Sequence, residues 1–196
     1  DGAKLVLMKG KAAKVTPEAI AEAVRRNERG IHSVKPASVS LSQATERGAC
    51  YTPAEMTALG EAARQAELAL HVDGARFGNA VAALGCKPAD ITWRAGVDLL
   101  SFGATKNGAL AGEAIVCFDP ARAEAIARRR KRGGQLFSKG RYAAAQLLAY
   151  LDNDLWLSLA SRANGLAGLG CEAAAGILSL PVETKKEFIK PGEQEL

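Results

Sequence analysis

Two stretches decide the fold: Leu68-Ala69-Leu70-His71-Val72-Asp73-Gly74-Ala75-Arg76, and Asp98-Leu99-Leu100-Ser101-Phe102-Gly103-Ala104-Thr105-Lys106-Asn107-Gly108. Each begins as a compact apolar run, long enough for a buried strand and too short for a helix. Each leads into a charged side chain, Asp73 or Lys106, within two residues of a glycine. Strands of this kind, separated by helical segments, belong to βαβ units with a mostly parallel sheet. Right-handed crossovers then bring the strand C-termini, and with them Asp73 and Lys106, to one edge.

Working outward, helix-start signals alternate with further strand patterns. Thr16-Pro17 and Thr52-Pro53-Ala54-Glu55 each place an N-cap threonine before a proline at the first helical position, and Glu55 completes a capping box. Strands are expected at Lys4–Met8, Ala37–Leu41, Leu68–Val72, Val97–Phe102 and Glu113–Phe118, with a short helical segment from Pro88. Asp119–Arg132 reads as a helix ended by Gly133-Gly134. Arg141 to about Leu166 reads as one helix, Ala163–Gly170 as glycine-punctuated, and Pro181–Ile189 as an isolated strand.

The whole chain, 196 residues with 48% hydrophobic and 24% charged, has room for one α/β domain and part of another. No apolar run approaches the roughly 18–20 residues that span a bilayer. The opening Asp1-Gly2-Ala3-Lys4 carries no apolar signal core, so a soluble cytoplasmic protein is expected. Cys50, Cys86, Cys117 and Cys171 form no Cys-x-x-Cys pair and are expected as reduced thiols. With two histidines, a His-rich metal site is not expected. The formal charge of +5 favours anions without naming one.

A carboxylate and an amine at neighbouring strand tips suit one demanding chemistry. Pyridoxal phosphate needs a lysine for its Schiff base and an acid that keeps its pyridine nitrogen protonated. Lys106 and Asp73 fit those roles, and Gly103 and Gly108 allow close backbone approach. The same residues also fit an ordinary Asp-Gly turn and a solvated lysine, and spacing alone does not choose between them.

Taken together, His71–Phe77 and Asp98–Ala109 closely resemble the threonine aldolases, which are fold-type I, aspartate-aminotransferase-like pyridoxal-phosphate enzymes. The resemblance spans nearly the whole chain, to Pro181-Val182-Glu183-Thr184. It implies an α/β large domain, mostly parallel, with helices on both faces. Residues 1–150 would form this cofactor-binding domain without its N-terminal part, and 151–196 the connecting helix and start of a small domain. It implies Lys106 as the Schiff-base lysine, Asp73 as partner of the pyridine nitrogen and Arg76 as the arginine for the amino-acid carboxylate. A guanidinium fork suits that last task because it can grip a carboxylate bidentately.

Other positions stay open between two or more roles. Thr105 either offers its hydroxyl to the cofactor phosphate or closes a local hydrogen bond. His71, on the same strand face as Asp73, either touches the cofactor or supports the aspartate. Lys131, within Arg128-Arg129-Arg130-Lys131-Arg132, matches a lysine near the active site that can reach a neighbouring subunit's pocket. The same run also reads as a solvated helix end; it lacks the interleaved aromatics of a nucleic-acid patch. The segment Ser42-Gln43-Ala44-Thr45-Glu46 matches one that lies over the cofactor, with Thr45 where relatives often have histidine, so the general base is unassigned.

The resemblance further implies cleavage of threonine or another β-hydroxy-α-amino acid to glycine and an aldehyde by a homodimer or homotetramer, with neither nucleic acid nor membrane as partner. A β-eliminating lyase, an aminotransferase, or an inactive fragment is the alternative. Family chains are longer at both ends, where a phosphate-binding loop, a ring-stacking side chain and a second carboxylate-binding arginine are expected.

Overall fold

The computed structural model describes residues 3–173. Four strands form one sheet in the order β1 (Ser38–Ser42), β2 (Ala69–Gly74), β3 (Leu99–Gly103) and β4 (Glu113–Cys117). β1, β2 and β3 are parallel, with Ser42 opposite Asp73 and Asp73 opposite Ser101. β4 runs antiparallel to β3, so the sheet is mixed at that edge. The reason is local. Only nine residues lie between Gly103 and Glu113, too few for a helical crossover, so the chain turns back on itself.

The helices begin where side chains can satisfy their free N–H groups. α1 (Pro17–Asn27) is capped by Thr16, whose side chain accepts from the Ala19 N–H. α2 (Pro53–Gln65) carries the full capping box of Thr52 and Glu55. Lys14 Nζ pairs with Glu55 at 2.9 Å, tying the segment before α1 to the head of α2. α3 (Phe77–Leu84) follows β2 directly and ends at Gly85 in the left-handed conformation. After β4 come α4 (Ala123–Arg132), α5 (Arg141–Leu151) and α6 (Leu155–Ala173).

Strand alternation splits the sheet into two unlike faces. Val39, Leu41, Leu70, Val72, Leu100 and Phe102 are buried in one core with Met56 and Leu59 of α2, Phe77 and Val81 of α3, Tyr150 of α5 and Trp156 of α6. Trp156 stacks on Phe77 at 6.3 Å and meets Phe102 edge-on at 5.7 Å, which seats α6 against the β2–β3 region. The other face presents Ser38, Ser40 and Ser42, then His71 and Asp73, then Ser101; all six are exposed or half-buried.

Three expectations need correction. Lys4–Met8 forms no strand; Leu5 and Leu7 are 86% and 94% exposed, and among the described residues no neighbouring strand offers that backbone a ladder. The single helix expected from Arg141 is two. Asn153 and Asp154 take φ of 50° and 55° between α5 and α6, a conformation that short polar side chains tolerate. The glycines after Ala163 do not interrupt α6, which continues to Ala173. The strand expected at Pro181–Ile189 lies outside the described residues. All four cysteines are free thiols. Among the described residues no helix is long and apolar enough to cross a membrane, and no cluster of His, Cys, Asp and Glu could hold a metal ion.

Candidate active site

Because β2 and β3 are adjacent and parallel, their C-terminal tips share one edge of the sheet. Asp73 is the penultimate residue of β2, and Lys106 stands three residues beyond β3 in a single 3-10 turn, Thr105–Asn107. The tips touch through glycine. A Cβ on Gly103 would lie 3.0 Å from the Cα of Ala75, and one on Gly74 would lie 2.7 Å from the carbonyl oxygen of Ser101. Neither position can carry a side chain without moving the backbone opposite, so the two charged loops are held close by the absence of two Cβ atoms.

The loop that carries Lys106 is fastened from several sides. The Ala104 N–H donates to the Gly112 carbonyl at 2.9 Å, and the Asn107 and Ala109 N–H groups both donate to the Ala104 carbonyl. The buried Asn107 side chain donates to Tyr150 Oη at 2.6 Å and to the Trp156 carbonyl at 2.9 Å. Thr105 Oγ1 accepts from the Gly112 N–H at 3.2 Å, which is the local bond; its own hydroxyl proton is not used by that contact. Lys106 itself is exposed, and its amine meets no hydrogen-bond or ion-pair partner among the described residues. Rigid backbone under a free amine suits a nucleophile that must be aimed.

Asp73 is aimed in a similar way. Its Oδ1 accepts from the Ala75 N–H at 3.0 Å, while the Gln43 N–H donates to its backbone carbonyl at 2.9 Å. Two residues earlier on the same face, His71 bridges three strands: its Nδ1 lies 2.8 Å from Ser40 Oγ on β1 and its Nε2 lies 2.9 Å from Ser101 Oγ on β3. Burial pushes the His71 pKa down from its usual value, partly offset by the Asp73 charge. The imidazole is therefore favoured neutral, with one nitrogen donating to a serine and the other accepting.

Arg76, in the turn that leads into α3, has a side chain only 12% exposed, and its Nη1 donates to Glu46 Oε1 at 2.9 Å. Burial of the stem leaves the fork facing the loop after β1. Lys131 stands apart. It lies on the last turn of α4, a helix with no buried residue, and no described contact joins it to the Asp73–Lys106 edge.

Sequence reading missed the groups that do the fastening. Asn107 carries no chemical role in the motif, and nothing in its neighbours betrays that it points inward to Tyr150 of α5 and Trp156 of α6. Ser40 and Ser101 follow the strand alternation that puts them beside His71, so that signal was present. Glu46 lies in the segment after β1, and its contact with Arg76, 30 residues distant, has no local signature.

The site fits pyridoxal phosphate by its donor set. A carboxylate for a pyridinium, a free amine for an aldehyde and a hydroxyl for a phosphate stand along one edge of the sheet, as open parallel sheets place their ligands.

Comparison with known proteins places the chain in a family. The sequence matches the Beta-eliminating lyase family model over residues 1–193. It is 44% identical over 198 residues to a low specificity L-threonine aldolase of Pseudomonas aeruginosa, covering 98% of this chain and 57% of that protein. It is 42% identical over 201 residues to a low specificity L-threonine aldolase of Pseudomonas sp., covering 100% of this chain and 58% of that protein. The solved structure of Leishmania major threonine aldolase superposes with a TM-score of 0.85 at 30% identity, over 93% of this chain and 54% of that one. The chain thus spans a little over half the length of the relatives it matches. With the family model matched over residues 1–193 and relatives at 44% and 42% identity, the chain belongs to the Beta-eliminating lyase family.

Proposed function

We propose that this chain carries the central part of a pyridoxal-phosphate-dependent carbon–carbon lyase of threonine-aldolase type. Its substrate is threonine or another β-hydroxy-α-amino acid, and its products are glycine and an aldehyde. The observation that carries the reading is the apposition of the β2 and β3 tips, with Gly103 against Ala75, which sets Asp73 and Lys106 on one edge. The names of the Pseudomonas relatives favour aldol cleavage over β-elimination or transamination.

When bound, the cofactor supplies an electron sink for the pair left on Cα as the Cα–Cβ bond breaks. Asp73 holds a proton at the pyridine nitrogen, and the bond from Ala75 fixes which oxygen is free to do so. Lys106 supplies the amine that anchors the aldehyde carbon, on a loop whose backbone is fastened at Ala104 and Asn107. Thr105 offers its hydroxyl proton to the phosphate. Neutral His71 braces the strand face beneath Asp73 through Ser40 and Ser101. Arg76 would take the substrate carboxylate and so fix the orientation of the substrate's Cα in the site. A base, unassigned among these residues, takes the β-hydroxyl proton as the aldehyde leaves.

In this reading residues 1–150 belong to the cofactor-binding domain and 151–196 begin the small domain, of which 174–196 lie outside the described residues. The assembly is a cytoplasmic homodimer or homotetramer in which Lys131 serves a neighbouring subunit's pocket. Neither nucleic acid nor membrane is a partner. Incubation with L-threonine and pyridoxal phosphate tests the reaction class. Glycine and acetaldehyde are expected, whereas 2-ketobutyrate and ammonia would replace aldol cleavage by elimination.

A further inference from the structure

The loop between β1 and α2 places a carboxylate on the arginine assigned to the substrate. The Thr45 carbonyl accepts from the Gly48 N–H at 3.0 Å, closing a tight turn with Glu46 and Arg47 at its centre and Gly48 at a φ of 88°. The base of that turn is buried and fully paired. Gln43 donates to the Tyr51 carbonyl at 2.7 Å and accepts from the Tyr51 N–H at 2.9 Å, and Thr45 Oγ1 accepts from the Ala49 N–H at 3.0 Å. Glu46 is thus presented from a braced support, although its own side chain is 79% exposed.

Its partner is in the opposite condition. The Arg76 side chain is 12% exposed, so its charge is largely withdrawn from water and needs a counter-charge at all times. Glu46 provides one through Nη1, using one arm of the guanidinium fork. A substrate carboxylate arriving at the same fork meets a like charge already there, and two carboxylates sharing one guanidinium repel. Of the two anions, Glu46 is the one that water can readily take back, because it is mostly solvated.

From this contact we infer that Glu46 is an internal stand-in for the substrate carboxylate, neutralising Arg76 in the empty site and giving way when an amino acid binds. Glu46 thereby sets amino-acid affinity through Arg76, as a positioning residue that never touches the reacting atoms. The inference rests on the assignment of Arg76 to the substrate carboxylate. It adds a competitor of fixed strength that lowers affinity and keeps the buried cation from standing bare.

The test titrates the full 196-residue chain and its Glu46→Gln and Glu46→Ala variants with glycine, following the Arg76 Nε–Hε resonance by NMR, with and without pyridoxal phosphate. Glycinamide, which lacks the carboxylate, is the control. Half-saturation by glycine is expected to fall by about two- to fivefold in both variants, the equivalent of removing one largely exposed ion pair, while the response to glycinamide stays unchanged. Equal or weaker glycine binding in either variant, or equal tightening toward glycinamide, overturns the role of Glu46. An Arg76 resonance that ignores glycine in all three proteins overturns the Arg76 assignment and the inference with it. Tightening by glycine in a chain that never takes up pyridoxal phosphate would sink the proposed lyase and leave the Glu46 competition standing.

Discussion

The tips of β2 and β3 and the basic helix α4 both carry lysines marked out by resemblance, yet they are built in opposite ways. Around Lys106 the backbone is tied by Ala104, Asn107 and Gly112, and Asn107 is anchored in turn to Tyr150 and Trp156 beneath it. Around Lys131 nothing is buried; α4 displays Arg128–Arg132 to solvent, with Arg128 paired only one turn away to Glu124. An exposed amine over a fixed loop has a defined place to react. An exposed amine on an exposed helix acquires one only when another surface arrives. Charge and family likeness mark both, and packing separates them.

The comparison breaks most visibly at Trp156, which joins α6 to Phe77 and Phe102 and whose carbonyl receives Asn107. Trp156→Ala is expected to cost about 3–5 kcal/mol in chemical denaturation, the usual penalty for emptying a large aromatic site. A loss as small as that of a surface change would detach the Lys106 loop from the core. Asn107→Ala is the next largest. It removes the donor to Tyr150 Oη and to the Trp156 carbonyl, and about 1–3 kcal/mol should be lost for the acceptors left behind. Its effect on cofactor uptake should exceed that of any single change in Arg128–Arg132.

Much of this was legible beforehand, and the pattern of failures is physical. The β2 and β3 runs were readable because apolar alternation and burial coincide there, and the caps at Thr16 and Thr52 because capping is local chemistry. The direction of β4 was not, since an antiparallel return depends on connection geometry rather than on strand composition. Lys4–Met8 failed because strand propensity counts for nothing without a ladder partner. Within the site, Asp73, Lys106 and Arg76 carry motif signals. Ser40 and Ser101 are marked by the strand alternation that sets them beside His71, whereas Asn107 and Glu46 act through partners 30 or more residues away, where no local pattern reports them.

His71 sharpens the contrast through pH. Burial lowers its folded pKa, so the unfolded chain binds that proton more readily and His71 favours folding only while it is neutral. Its contribution is complete above about pH 6.5, the ordinary imidazole value, and is lost as pH falls through that value toward the lower folded one. His71→Gln should therefore flatten the melting temperature against pH over this acid limb, and an unchanged slope would place the destabilising protonation elsewhere. The smallest effect belongs to the other region. Lys131→Ala should change stability by no more than about 0.5 kcal/mol, as for surface sites generally, and any effect on amino-acid binding should appear only in the assembled oligomer.

The most direct measurement is borohydride reduction of the chain after incubation with pyridoxal phosphate, followed by peptide mapping in the native sequence and in Asp73→Ala. The account predicts one pyridoxyl adduct, on Lys106 within Ala104-Thr105-Lys106-Asn107, with weaker cofactor retention when Asp73 is removed. An adduct on Lys131 or another lysine, or retention indifferent to Asp73, would contradict it.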